Sequence, residues 1–126
     1  MHLTVLALTG VIMGCLTTFV GLPGITEPSA WLAAYVLWVV YGVRLELRTP
    51  LRTMAVASTL SGLLTSSIQV LFMEAYQQSN PWYAEYFSGD SQTLAIQFLG
   101  QGIVLGLCFG LAVGFITRQL LQRRGR

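Results

Sequence analysis

The chain contains no lysine, one histidine and two cysteines, and charged side chains make up only 10% of its 126 residues. Soluble domains carry about 25% charge. With 54% hydrophobic residues, this chain cannot cover itself with groups that water solvates, so lipid is its expected solvent. The same composition excludes a disordered chain, and the length allows one domain, residues 1–126. The shortage of reactive groups excludes much chemistry. His2 alone cannot supply a paired axial haem site, and no His, Cys and Asp cluster has metal-ligand spacing. There is no phosphate-binding glycine loop and no nucleophile beside a base, so Ser66-Ser67 reads as a packing pair. Neither a cofactor nor an enzyme activity is expected.

What the chain does have is long apolar runs. A bilayer core of about 30 Å needs about 20 apolar residues per helix. Four stretches suit, at about 3–21, 30–47, 54–74 and 93–117. The second is the weakest, with 14 uncharged residues from Ala30 to Val43. Its Trp31, Tyr35, Trp38 and Tyr41 have interfacial character, and Arg44 can snorkel.

The charges argue for counting it as a span. All seven arginines fall in two segments, Arg44 to Arg52 and Arg118 to Arg126. Glu27, Glu74, Glu85 and Asp90 lie in the other two connections. Four alternating spans put +6 on one side (seven arginines less Glu46) and −4 on the other. The positive-inside rule then makes the arginine side cytoplasmic. The fold expected is an all-α, integral membrane four-helix bundle in the plasma (inner) membrane, with both termini inside. The arginine-rich end is short and directly follows a span. It suits anionic lipid better than nucleic acid.

The connections carry their own signals. Asp90 or Ser91 can cap the fourth span. The loop from Ala75 to Asp90 contains Asn80-Pro81, which can start a short interfacial helix running to Ser88. On an α-helical wheel its Trp82, Tyr83, Tyr86 and Phe87 fall within an arc of roughly 140°, opposite Glu85. These rings either anchor the loop at headgroup level or close over an outer site. Glu74 is either a solvated helix end or part of such a site.

Within lipid, helices associate through small residues and hydrogen bonds. The first span carries Ala7, Gly10, Gly14, Thr17 and Gly21, and the third carries Ala55, Ser58, Gly62, Thr65 and Gln69. Both seams have heptad spacing, which makes these spans the inner helices, packed on each other. Gly102, Gly106, Gly110 and Gly114 recur every four residues on the fourth span and predict a close backbone crossing. The partner is either another helix of the chain or a second copy. Cys15 and Cys108 differ in depth by about 13 Å, too far for a disulfide, and read as packing residues.

Gln69, Gln97 and Gln101 lie inside spans, and unpaired amides in hydrocarbon are costly. Their depths match within a turn, so a cluster with Thr65 and Ser66 is plausible. It serves either as interhelical glue or as the lining of a polar pocket or permeation path. No ionisable group lies deep in a span, which argues against proton antiport of the buried-carboxylate type. The function expected is therefore a membrane module without catalytic machinery, an accessory subunit or self-assembling scaffold. It would partner the bilayer and either further copies or a larger membrane complex. The alternative is an oligomeric channel or carrier for a small neutral or weakly charged solute.

The charge distribution makes a direct prediction. A reporter fused after Arg126 will fluoresce as a cytoplasmic protein and resist protease added outside intact cells. Cleavage from outside would overturn the four-span reading.

Overall fold

Pro50 and Pro81 each open a helix, and a break at Phe72 divides what reads as a single span. In the computed structural model, which describes residues 2–125, α1 (His2–Cys15) runs on into a π-helical turn (Leu16–Val20). Then follow α2 (Thr26–Arg44), α3 (Pro50–Leu71), α4 (Met73–Ser79), a 3₁₀ helix (Pro81–Phe87) and α5 (Ser91–Arg124). There is no strand among the described residues.

Three helices are long and apolar enough to cross a membrane: His2–Val20, Pro50–Leu71 and Ser91–Arg124. α2 has the length, at 19 residues, but not the hydropathy, because it starts Thr26-Glu27-Pro28-Ser29 and carries Trp and Tyr farther on. It ends at Arg44, three residues earlier than expected. Leu45 and Glu46 bond back to Tyr41 and Val43, and Glu46 takes a positive φ of 48°. The expected third span, 54–74, is corrected at both ends. Pro50 stands at the first turn, where its missing N–H costs nothing. At Phe72 the backbone leaves the helical region (φ −116°, ψ 39°). α5, with 34 residues, is about 51 Å long and outruns a bilayer core of about 30 Å. Asp90 caps it: Thr93 N donates to Asp90 Oδ1 at 2.7 Å, which holds the carboxyl below its usual range.

α3 is the centre. On one side Gly10 of α1 lies against the Ser61 backbone and Gly14 against Thr65 and Ile68. Ser61 Oγ donates to Leu6 O at 3.3 Å, and Thr65 Oγ1 donates to Gly10 O at 2.8 Å. The two series rise together, so α1 and α3 are parallel, and the expected meeting of their small seams is seen. On the other side Gly102 lies against Gly62, Gly106 against Ser58 and Thr59, Gly110 against Met54 and Ala55, and Gly114 against Pro50 and Leu51. This order runs backwards, so α5 is antiparallel to α3. A Cβ at Gly106 would stand 2.6 Å from Ser58 O, and one at Gly110 would stand 2.6 Å from Met54 O. The glycine row therefore meets α3 of its own chain.

α2 touches its neighbours mostly through rings. Trp38 Nε1 donates to Thr9 Oγ1 at 3.1 Å, the Tyr35 hydroxyl lies 3.2 Å from Ser58 Oγ, and Tyr35 stacks on Phe109 at 5.5 Å. His2 Nδ1 and the Tyr41 hydroxyl are 2.9 Å apart. At Gly42 the side chains of Met54 and Thr117 come against the α2 backbone. Here lies the apolar core of Leu6, Trp38, Leu47, Met54, Ala57 and Val113. Cys15 and Cys108 are free and exposed. They point away from the helix contacts, so the expected packing role is corrected.

Two glycines of one helix should respond oppositely to the same change. An added methyl raises helix propensity by about 1 kcal/mol. Gly100 has open space around it, so Gly100→Ala will hold or raise the melting temperature in mild detergent. Gly106→Ala will lower it, because overpacking costs about 1–3 kcal/mol. Equal shifts, followed by circular dichroism, would refute the contact.

Candidate functional site

A cleft of about 1350 Å³ opens between α2, α3, α5 and the connection that joins α3 to α5. Its walls follow from four-residue spacing, which keeps side chains on one helix face. Glu27, Trp31, Tyr35 and Val39 line the α2 side. Gln97, Gln101, Leu105 and Phe109 line the α5 side, which continues to Ile116. From Gln97 to Ile116 the α5 wall is about 28 Å long, close to the thickness of a bilayer core. Gly62, Thr65, Ser66 and Gln69 form the floor on α3. Tyr76 of α4 and Tyr83, Tyr86 and Phe87 of the 3₁₀ helix close the end remote from the arginines.

The cleft changes character along its length. Toward the acidic end it holds Glu27, Gln97, Gln101 and three tyrosines. Toward the arginine end it holds Val36, Val39, Val40, Leu105, Ala112 and Ile116. Glu27 is half-buried, and burial raises its carboxyl above the usual range. Tyr76 and Tyr83 are raised as well, first by burial and then by the negative charge of Glu27. The carboxylate and the two phenols thus share one partly desolvated corner.

The five residues expected to cluster, Thr65, Ser66, Gln69, Gln97 and Gln101, all line this cleft. They do not bond as expected: among the described residues no hydrogen bond joins the three glutamines. Gln69 is buried and its Nε2 donates to Thr17 Oγ1 at 3.0 Å, while Thr17 Oγ1 donates to Met13 O at 2.9 Å. The parallel register of α1 and α3 sets Thr17 level with Gln69. Thr65 is likewise bonded to α1. Gln97 and Gln101 remain exposed on the cleft wall. The expected packing residues Gly10, Gly14, Gly62, Gly102, Gly106, Gly110 and Gly114 all stand at contacts of α1 or α5 with α3. Ser58, buried, faces both Gly110 and Tyr35.

The aromatic loop is corrected in pitch. Its helix is 3₁₀, at about 120° per residue, so Tyr83 and Tyr86 eclipse, with ring centroids 6.2 Å apart. Phe87 turns onto Tyr76 (5.7 Å) and Phe98 (6.5 Å). Trp82 keeps an edge contact with Tyr83, at 6.2 Å, and also packs against Gly21. Glu74 is exposed beside Leu71, Phe72 and Gln78, outside the cleft.

Asn80 secures the roof. Fully buried, it donates from Nδ2 to Thr17 O at 2.8 Å and to Tyr76 O at 2.7 Å. Thr17 O lies in the π turn, whose Gly21 N bonds back to Leu16 O at 3.0 Å. Gly21 has φ 74° and lies against the Ser79 carbonyl, where no side chain fits. α1 and α4 are thereby joined at their ends.

Glu27 was legible only as a loop charge, and Tyr76 and Phe109 not at all. The spacing of Glu27, Trp31 and Tyr35 carried a usable signal, because it continues the aromatic stripe of α2 to a carboxylate. Among the described residues no three His, Cys, Asp or Glu side chains come together in a way that could hold a metal. No protein-family model matches the chain, and neither a curated protein nor a solved structure does.

The two kinds of glutamine can be told apart. Gln69→Leu removes a buried hydrogen bond and will cost about 1 kcal/mol of stability. Gln97→Leu, on the cleft wall, will stay within about 0.5 kcal/mol of wild type. Thermal unfolding in detergent measures both. A larger loss for Gln97→Leu would contradict the assignment.

Proposed function

We propose that this chain is a four-span membrane module with both arginine segments in the cytoplasm, and that it works by holding a membrane-soluble amphiphile in the cleft beside α2. No catalytic step enters this reading. The observation that carries it is the cleft itself, polar at one end and apolar along about 17 Å of α5 wall from Leu105 to Ile116. An amphiphile in a bilayer has the same gradient along the same direction. The four-span arrangement is supported by the antiparallel course of α2 to α3, with Tyr35 at Ser58 and Gly42 at Met54. A common side for the arginines is supported by Arg124, whose Nη1 donates to Val43 O at 3.4 Å.

An accessory role fits this reading, because a module that holds a guest serves a larger process. Self-assembly has less support, since the glycine row is used against α3. A second reading, a carrier for a small neutral or weakly charged solute, is favoured by the two glutamine amides exposed in the cleft.

Native mass spectrometry of the chain in mild detergent tests the proposal. Wild type is expected to retain an amphiphile from the membrane. Ala112→Trp, which fills the apolar trough from an exposed position, will lose most of it with an unchanged helical spectrum. Equal retention by the two would overturn the reading. For the carrier reading, Gln97→Leu with Gln101→Leu must lower solute flux into liposomes.

A further inference from the structure

We propose that the polar end of the cleft recognises an ammonium headgroup, so that the guest is a lipid whose amine sits beside Glu27 among the rings of Trp31, Tyr76 and Tyr83, with its chain in the trough toward Ile116. This rests on the cleft being a binding site and adds the chemistry of the headgroup.

Charge is the first argument. Among the described residues Glu27 is the single acid in the lining, and no basic side chain accompanies it. Arg44, the nearest arginine along α2, is 17 residues away, about 25 Å. Arg48, Arg52, Arg118, Arg123 and Arg124 belong to that same far end, and the lone histidine is there too, against Tyr41. A partly desolvated carboxylate without a cation is unfavourable, and a guest that brings one relieves it. An anionic headgroup would add repulsion instead.

The rings are the second argument. Ammonium groups bind to aromatic faces, and cages of such rings are how proteins recognise quaternary and alkylated amines. Trp31 stacks on Tyr35 at 5.7 Å, four residues beyond Glu27 on the same stripe. Tyr76 and Tyr83 lie within the field of the Glu27 carboxylate. A bare metal cation is a poorer fit, because it needs six or more oxygens and the corner offers one carboxylate.

The amides are the third. Gln97 and Gln101 stand one turn apart on the facing wall, with N–H groups able to donate to an oxygen anion. In a zwitterionic lipid the phosphate lies between amine and chain, and these amides lie between the carboxylate corner and the apolar trough. The order along the cleft, acid and rings, then amides, then aliphatic wall, matches the order of groups in the lipid.

The test uses the full chain in nanodiscs of equal phosphatidylethanolamine and phosphatidylglycerol, released into mild detergent for native mass spectrometry. Wild type is expected to retain phosphatidylethanolamine about tenfold over phosphatidylglycerol. Glu27→Gln should bring that ratio close to one while total bound lipid changes little, and Ala112→Trp should lower both lipids. Millimolar choline chloride should leave the bound lipid in place. A ratio unmoved by Glu27→Gln, a preference for phosphatidylglycerol, or displacement by choline alone would overturn the headgroup assignment and leave the cleft as a binding site. No lipid retained by wild type would overturn the proposed function itself.

Discussion

Backbone-to-backbone contact between α3 and its two neighbours is the constraint on which the rest of the molecule depends. Lipid offers no hydrophobic gain for bringing apolar helices together, so close approach and hydrogen bonds must supply the attraction. Gly10 and Gly14 allow it on one side of α3, and Gly102 to Gly114 allow it on the other. Ser61 and Thr65 add hydroxyl donors to α1 carbonyls, bonds that are available only because the backbones are so near. Three helices are thereby held as a slab with α3 in the middle.

α2 cannot join that slab in the same way. Its inward stripe is Trp31, Tyr35 and Trp38, and rings of this size hold a helix at a distance. Gly42, at the far end of the stripe, is the point where it closes in on Met54 and Thr117. The cleft is a consequence of this uneven approach. Its aliphatic walls lie along the separated stretch, and its polar corner lies where α2 begins with Glu27. The feature that makes α2 a weak span, with rings and an acid in place of aliphatic residues, is the feature that furnishes the site.

The roof depends on a different device. The π turn at Leu16–Val20 leaves Thr17 O without its helical partner, and Asn80 supplies a donor in its place. Thr17 also receives Gln69, so one residue joins α1, α3 and the segment that leads into the 3₁₀ helix. Tyr83 and Tyr86 are set over the cleft mouth by that anchorage and by the pitch of the helix that carries them.

Hydropathy and the spacing of small residues were enough to determine, from the chain alone, an all-helical protein, three helices long and apolar enough to cross a membrane, the α1–α3 seam and the residues that line the cleft floor. These properties are written in local periodicity, because a helix turns its face at a constant angle. Which surface a face meets is not local. The glycine row could have served a second copy, and only the antiparallel register of α5 on α3 assigns it within the chain. Gln69 could have met Gln97, and only the parallel register of α1 puts Thr17 within its hydrogen-bond reach. The four rings of the loop could have shared one arc, and 3₁₀ pitch instead eclipses Tyr83 with Tyr86 and turns Trp82 and Phe87 to either side. Glu27 became part of a site once α4 and the loop packed over it, since burial, unlike charge, is decided by what the remainder of the chain places alongside.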